Sequence, residues 1–253
     1  MLGLLGLATA GWALATGDRA GAAPPIRVAA ASDLKFALAD CVGQYRRQSG
    51  QTVQVTFGSS GQFAQQIRHG LPVDLYLAAD EAYVSMLAEA GLTRDAGAVY
   101  ALGRIAALVP ASSKLVLDPG LQALGTASPG IRAFAIANPE HAPYGRAARQ
   151  ALQRLGLWEP LRARLVLGEN VAQATQYVSS GAAQAGITAL SLALAPEVAQ
   201  RTRCLALPAE LHDPMRQRMV LLRRARREAA GFYDFMQGPA ARAILQRHGF
   251  AMS

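Results

Sequence analysis

Apolar positions in the first half of the chain change repeatedly from strand-like to helix-like spacing. Short apolar or alternating runs predict strands, because successive side chains of a strand point to opposite faces. The predicted strands cover residues 26–30, 53–57, 73–78 and 105–109. Apolar residues three or four positions apart predict helices that begin near residues 32, 63 and 83. This βαβαβα order is typical of a parallel sheet whose faces are covered by helices.

A second α/β unit follows a segment rich in Ser, Pro and Gly at residues 111–130, which we interpret as a crossover. The predicted elements of this unit alternate between strand and helix at residues 133–137, 144–155, 165–167, 171–179 and 185–188. After an irregular stretch near residues 205–214, the pattern predicts a strand at 219–222 and helices at 228–236 and 239–247.

Two α/β units joined by two crossing segments predict two lobes with a cleft between them. We expect residues 23–112 and 206–253 to form lobe 1, because the C-terminal piece returns to the first unit. Residues 113–205 are then expected to form lobe 2. The fold class is therefore α/β, with parallel or mixed sheets and a ligand cleft between the lobes.

The N-terminus has the features of an export signal. Residues 2–16 are apolar and small, and Ala20-Gly21-Ala22 offers a small-x-small cleavage site. The apolar run is shorter than the roughly 20 residues of a membrane span. We therefore expect a signal peptide at residues 1–22 and a periplasmic mature protein. In that oxidising compartment Cys41 and Cys204 could pair, but we expect two separate buried thiols.

Composition narrows the classes of function. Half of the 253 residues (51%) are hydrophobic and 17% are charged, which excludes a disordered chain. The formal charge of +8 comes from scattered arginines, apart from one run at residues 223–227, and only 6% of residues are aromatic. This distribution indicates a solvated surface and no nucleic-acid partner. Two Cys and four unclustered His give no basis for a metal-cation site or a bound cofactor.

Four strand-to-helix junctions are candidates for an anion site. They lie at residues 29–33, 57–61, 138–145 and 168–171. The N-terminus of a helix presents unpaired N–H groups and about half a positive charge, so it attracts anions. In a parallel sheet such junctions share the carboxyl edge, where ligands bind. Plain N-capping by serine explains either of the first two junctions alone, whereas the four together favour a ligand in the cleft.

Several motifs, in order along residues 26–250, resemble the periplasmic molybdate-binding proteins of molybdenum ABC transporters. They are VAAASDL, TFGSSGQFAQQI, PVDLYLAADEAYV, ANPEHAPYGRAARQAL, GENVAQA and FYDFMQGPAARAILQRHGF. The resemblance implies a two-lobed type II periplasmic binding protein that closes on a tetrahedral oxyanion. It also implies high-affinity binding of molybdate and tungstate and delivery to the inner-membrane permease of an ABC importer. We expect a monomer with no enzymatic activity.

The resemblance assigns the oxyanion to four residues. Ser32 and Ser60 match the family's two serines, which offer hydroxyl groups and backbone N–H groups. Tyr144, after Pro143, and Val171 match positions that each offer a backbone N–H. Molybdenum is expected only as its oxyanion, held through these same residues.

Two positions depart from the family pattern. Well-studied members add a tyrosine hydroxyl at the position that is Ala189 here, so this donor is absent. Tyr144 is the nearest bulky residue that could have repacked around the loss. Asp33 is the second departure, because a carboxylate beside an anion is unfavourable unless it points away.

Elementary chemistry supports an oxyanion and leaves alternatives open. A fully deprotonated dianion has only acceptors, so a site made only of donors suits it and rejects protonated phosphate. Sulfate is the alternative ligand. A hydrolase using Ser60 and His141 is conceivable, although no G-x-S-x-G or H-E-x-x-H motif is present. A DNA-binding regulator would need a helix-turn-helix domain, and only the signal-like segment precedes residue 26.

Overall fold

Two five-stranded sheets form the centres of two lobes in the computed structural model, which describes residues 24–122 and 130–252. The first sheet has the strand order β2-β1-β3-β10-β4 and the second the order β7-β6-β8-β5-β9. The strands are β1 Ile26–Ala31, β2 Val53–Gly58, β3 Leu75–Ala78, β4 Ala98–Gly103, β5 Ile105–Pro110, β6 Phe134–Ala137, β7 Leu165–Gly168, β8 Ala185–Ala189, β9 Thr202–Ala206 and β10 Met215–Leu221. The predicted signal peptide lies outside the described residues.

Each sheet is mixed, with four strands that run in one direction and one strand, β10 or β5, that runs against them. In the first sheet β1 pairs in parallel with β2 and β3, whereas β10 runs antiparallel to both β3 and β4. In the second, β6 pairs in parallel with β7 and β8, and β5 runs antiparallel to β8 and β9. The parallel strands are the ones followed by helices, as βαβ connections require.

Ten α-helices are described. They are α1 Lys35–Ser49, α2 Ser60–Arg68, α3 Glu81–Glu89, α4 Pro143–Arg154, α5 Trp158–Leu161, α6 Val171–Ser179, α7 Leu190–Ala193, α8 Pro196–Ala199, α9 Ala229–Gln237 and α10 Pro239–Arg247. A 3-10 turn at Ser32–Leu34 leads directly into α1. Gly50, with φ of 71°, ends α1 in the left-handed region, where a glycine costs least.

The first crossing between the lobes differs from the expected one. The sequence places residues 105–112 in lobe 1 and the crossover at 111–130, but β5 pairs with β8 and β9 in the second sheet. The chain therefore changes sheet at Arg104, between β4 and β5. An apolar strand such as IAALV fits the interior of either sheet, and only pairing with distant strands selects one. The return crossing lies between Ala206 and Met215.

The C-terminal helices pack on the first lobe, as the sequence predicts. Tyr45 of α1 lies against two aromatic rings of α9, with centroid distances of 5.1 Å to Phe232 and 5.4 Å to Phe235. Aromatic pairs of this kind add about 0.5–1.5 kcal/mol beyond the area they bury. This cluster therefore anchors the end of the chain to helix α1.

The cysteines are separated by the fold. Cys41 is buried in the first lobe, whereas Cys204 is exposed on β9 of the second, and both are free thiols. The expectation of two unpaired cysteines is confirmed, but the expectation that both are buried is wrong for Cys204. Its strand lies at the edge of the second sheet, and three of the five residues of β9 are exposed.

Within residues 24–122 and 130–252, no helix is both long and apolar enough to cross a membrane. The same residues contain no group of three or more His, Cys, Asp or Glu side chains arranged to hold a metal ion.

Candidate functional site

The four predicted junctions lie at the carboxyl ends of parallel strands and meet between the lobes. The register of the first sheet pairs Ala31 with Gly58, so the junctions after β1 and β2 are neighbours. The register of the second sheet pairs Ala137 with Gly168 and does the same for the junctions after β6 and β7. Residues 31–33, 58–60, 142–144, 170–171 and Ala79 enclose one cavity. The predicted convergence of the four junctions is thus observed.

The cavity is small and is closed by both lobes. Its volume, measured with a water-sized sphere, is about 10 Å³. Pockets for drug-sized ligands measure about 300–1,000 Å³, and a volume near 10–15 Å³ holds roughly one water-sized species. The closed cleft therefore suits one compact inorganic species and excludes a sugar or a nucleotide.

All four predicted residues line this cavity and are buried: Ser32, Ser60, Tyr144 and Val171. Ser60 and Val171 are the first residues of α2 and α6, and Tyr144 is the second residue of α4. The backbone N–H groups of Ser60, Tyr144 and Val171 have no hydrogen-bond acceptor among the described residues. Buried N–H groups are nearly always paired, so these donors indicate a place for an acceptor.

The two serine hydroxyls are oriented by backbone donors. Ser60 Oγ accepts a hydrogen bond from the Ala79 N–H at 3.0 Å within lobe 1. Ser32 Oγ accepts one from the Ala172 N–H at 3.2 Å, across the cleft. An oxygen that accepts in this way still has its own O–H to donate. Both hydroxyls are therefore available to an anion in the cavity.

Asp33 is the one charged residue among the described residues that line the cavity. Its side chain is buried, and Oδ2 accepts hydrogen bonds from Tyr144 Oη at 3.0 Å and Gln217 Nε2 at 2.6 Å. Burial raises the pKa of Asp33 to about 6, because desolvation outweighs these two bonds and the nearby N–H groups of Asp33 and Leu34. The carboxyl thus turns at least one oxygen onto Tyr144 and Gln217.

This network extends from the cavity to the crossing between the lobes. Gln217 also contacts Tyr144 Oη at 3.1 Å, and Tyr100 Oη donates to Gln217 Oε1 at 2.7 Å. A Cβ added at Gly103, one residue before the crossing, would lie 2.7 Å from Tyr144 Oη. The Tyr144 side chain therefore occupies the hinge side of the cleft, while its backbone N–H faces the cavity.

The carbonyl of His141 joins the lobes on the other side of the cavity. This oxygen of lobe 2 accepts from three donors of lobe 1: Ser59 Oγ at 2.6 Å, Gly61 N at 3.0 Å and Tyr83 Oη at 3.3 Å. The three bonds place the start of α2 directly against the loop before α4.

An ion pair supports the same contact. Arg146 of α4 bonds Asp80 of lobe 1 at 2.5 Å and Tyr83 Oη at 2.7 Å. Its guanidinium also lies 5.3 Å from the centre of the Tyr83 ring, within cation–π range. Because both partners of Arg146 belong to the opposite lobe, these contacts form only when the cleft is closed.

The proposed pair of Ser60 and His141 is not formed. His141 Nδ1 contacts Ser59 Oγ at 3.0 Å, and the Ser59 hydroxyl donates to the carbonyl of His141 itself. A serine whose proton bonds a carbonyl is not activated by a base. The geometry therefore gives no support to the hydrolase alternative.

Ala189 lies at the end of β8, fully buried and paired with Ile105, and is not one of the cavity-lining residues. We predict that Ala189→Tyr lowers both the melting temperature and the affinity for an oxyanion, because overpacking a core typically costs about 1–3 kcal/mol. Ala189→Ser, which adds a hydroxyl without a ring, is the matched control. Calorimetric titration of both variants measures the effect, and tighter binding by Ala189→Tyr would contradict the idea that the chain has repacked around the absent hydroxyl.

Sequence reasoning missed most of the contacts between the lobes. Gly61 is predicted only as part of the junction at 57–61, and no contact between the lobes is predicted for Tyr83, Arg146 or Gln217. One signal was available for Gly61, since a glycine in the first turn of a helix suggests close approach of another backbone. The side-chain pairs join residues 63 to 184 positions apart and leave no local pattern.

Comparisons with known proteins agree with this geometry. The sequence profile of the family described as bacterial extracellular solute-binding protein matches residues 26–251. The chain is 32% identical to the molybdate-binding protein ModA of Azotobacter vinelandii over 91% of each chain. It is 32% identical to ModA of Rhodobacter capsulatus over 81% of this chain and 80% of that one. The fold matches the solved periplasmic molybdate-binding protein of A. vinelandii with a TM-score of 0.82 and 32% identity, covering 90% of this chain and 99% of the other.

Proposed function

The chain belongs to the bacterial extracellular solute-binding proteins, and from this membership we propose that it binds molybdate between its lobes and delivers it to an ABC importer. Relatives named for molybdate binding, matched over most of their length, support this choice of ligand. The chain is a binding protein and not an enzyme.

One observation carries the proposal: the cavity presents unpaired donors from both lobes. The N–H of Ser60 and the hydroxyls of Ser32 and Ser60 come from lobe 1, and the N–H groups of Tyr144 and Val171 come from lobe 2. A tetrahedral oxyanion has four acceptor atoms and can pair with donors on all sides. Neutral donors hold it without a buried counter-ion and the desolvation cost of one.

Ligand binding is coupled to the closure of the two lobes. A ligand in the cavity contacts donors of both lobes at the same time. Because these contacts exist only in the closed form, binding shifts the population toward that form. A permease can then distinguish the loaded protein from the empty one. We propose that the protein acts as a periplasmic monomer, that residues 1–22 direct its export, and that it has no nucleic-acid partner.

The proposal predicts that molybdate and tungstate raise the melting temperature of the purified mature protein. A ligand that binds only the folded state adds about 2.7 kcal/mol of stability at 100-fold excess over its dissociation constant. A thermal-shift titration with molybdate, tungstate, sulfate and chloride measures this. If neither molybdate nor tungstate shifts the melting temperature at millimolar concentration, the proposal is refuted. A shift with sulfate alone would identify sulfate, and not molybdate, as the ligand.

A further inference from the structure

Lobe 1 concentrates arginines at the amino ends of its parallel strands, which is the edge opposite the cavity. Helices α1, α2 and α3 each return the chain to this edge. The loop at residues 222–228 also lies there, because Leu221 at the end of β10 pairs with Leu75 at the start of β3. We call this surface the basic face, and its arginines are Arg27, Arg46, Arg47, Arg68, Arg94, Arg223, Arg224, Arg226 and Arg227.

Direct contacts hold the centre of the basic face together. The carboxylate of Asp74 pairs with the guanidinium of Arg226 at 2.5 Å and accepts the backbone N–H of Arg27 at 2.8 Å. The guanidinium of Arg94 donates to the carbonyl of Ala225. The loop after β10 therefore packs against the starts of β1 and β3 and against the segment after α3.

Most guanidinium groups of the basic face have no carboxylate partner. Seven arginines form ion pairs within residues 24–122 and 130–252, and Arg226 is the one among them that belongs to this face. The other eight arginines of the face are exposed. The nine arginines outnumber the five carboxylates on the same side, which belong to Asp74, Glu89, Asp95, Glu228 and Asp234. The face therefore keeps a net positive charge that attracts a partner of opposite sign.

An array of phosphate groups is the complementary partner. A guanidinium matches a phosphate with two parallel hydrogen bonds. The arginines come from several separate elements, so an extended anionic surface fits them better than a single small anion does. Arg226 also donates to the carbonyl of Pro25, so the export segment proposed at residues 1–22 joins the fold at this face. That position favours a lipid surface over a soluble acidic protein.

We propose that the basic face docks lobe 1 on the anionic headgroups of a phospholipid membrane. The inference goes beyond the proposed function, because it concerns a surface at the other edge of the sheet from the cavity. A docked molecule therefore keeps its cleft free to bind and release an oxyanion. Docking concentrates the protein on the membrane that contains its permease and shortens the search for it.

Cosedimentation with vesicles tests the proposal. The probes are vesicles of phosphatidylethanolamine mixed with phosphatidylglycerol, which are anionic, and vesicles of phosphatidylcholine, which have no net charge. We expect the natural protein to bind the anionic vesicles and not the neutral ones. Added salt should weaken this binding, because the Debye length falls to about 8 Å at an ionic strength near 0.15 M. Failure to bind the anionic vesicles at low salt, or equal binding to both kinds, would overturn the proposal.

A triple variant assigns the binding to the basic face. It combines Arg223→Gln, Arg224→Gln and Arg227→Gln, which are exposed and form no ion pair among the described residues. Each arginine near an anionic leaflet contributes about fivefold to binding, so we expect the triple variant to bind at least about thirtyfold more weakly. Arg224→Gln alone should weaken binding by about fivefold and gives the same test if the triple variant is unstable.

The matched control removes the same charge from exposed positions of lobe 2. It combines Arg132→Gln, Arg162→Gln and Arg201→Gln. We expect this control to bind the anionic vesicles almost as well as the natural protein does. An equal loss in the two triple variants would show that net charge, and not the basic face, causes the binding. Both variants should keep the oxyanion affinity of the natural protein, because none of the six positions lines the cavity.

Discussion

Gly61→Ala is expected to weaken oxyanion binding by at least about 100-fold while leaving the fold stable. A Cβ at this position would lie 2.5 Å from the carbonyl oxygen of His141 and 2.8 Å from Tyr83 Oη, closer than atoms pack. The lobes would have to stay apart by a fraction of an ångström or more. That displacement breaks the bonds from Ser59 and Gly61 to His141, each worth about 0.5–1.5 kcal/mol, and misplaces donors that contact charge, worth about 1.5–3 kcal/mol each.

The fold itself should tolerate this substitution. Gly61 is the second residue of α2, and alanine is a better helix former than glycine by up to about 1 kcal/mol. Gly43→Ala in α1 is the matched control, because the added Cβ would meet only Arg47 Nη1 at an ordinary 3.6 Å. We expect the control to bind normally and both variants to melt at or above the natural temperature. Undiminished affinity in Gly61→Ala would show that ligand binding does not need the closed contact at His141.

Ser60→Ala is expected to weaken oxyanion binding by more than tenfold and also to lower stability. The hydroxyl supplies one hydrogen bond to a charged ligand, worth about 1.5–3 kcal/mol. Stability falls because removing Oγ leaves the buried N–H of Ala79 without its partner, at a cost of about 1–3 kcal/mol.

A second buried hydroxyl separates the two effects. Thr202→Val removes a hydroxyl that donates to the Val198 carbonyl at 2.8 Å, in lobe 2 and outside the cavity. We expect this variant to lose stability but keep its affinity, whereas Ser60→Ala loses both. Denaturant unfolding gives the stability and calorimetric titration the affinity. If Ser60→Ala binds as tightly as Thr202→Val, the role of Ser60 is structural.

The alternation of strands and helices around the parallel strands, and the starts of the longer helices, were determined by the sequence itself, whereas strands β4 and β9 were not predicted. The helix starts predicted near residues 32, 144 and 171 lie within three residues of the observed α1, α4 and α6. These boundaries follow from local causes: the periodicity of apolar side chains, Pro143 at the first position of α4, and Asn170 capping the Gln173 N–H at 3.1 Å. Parallel strands share a carboxyl edge, so the pairing of the junctions within each sheet also followed.

Only the tertiary structure decided which sheet takes β5, which groups join the lobes, and where the Asp33 carboxyl lies. Asp33 contacts Tyr144 and Gln217, residues 111 and 184 positions away, and β5 pairs with strands that lie about 80 to 100 residues further along the chain. Such contacts depend on how the two lobes close on each other. A local sequence pattern contains no information about contacts between residues so far apart along the chain. The sequence marks Asp33 as an unfavourable charge beside an anion, whereas the closed cleft turns its Oδ2 onto Tyr144 and Gln217.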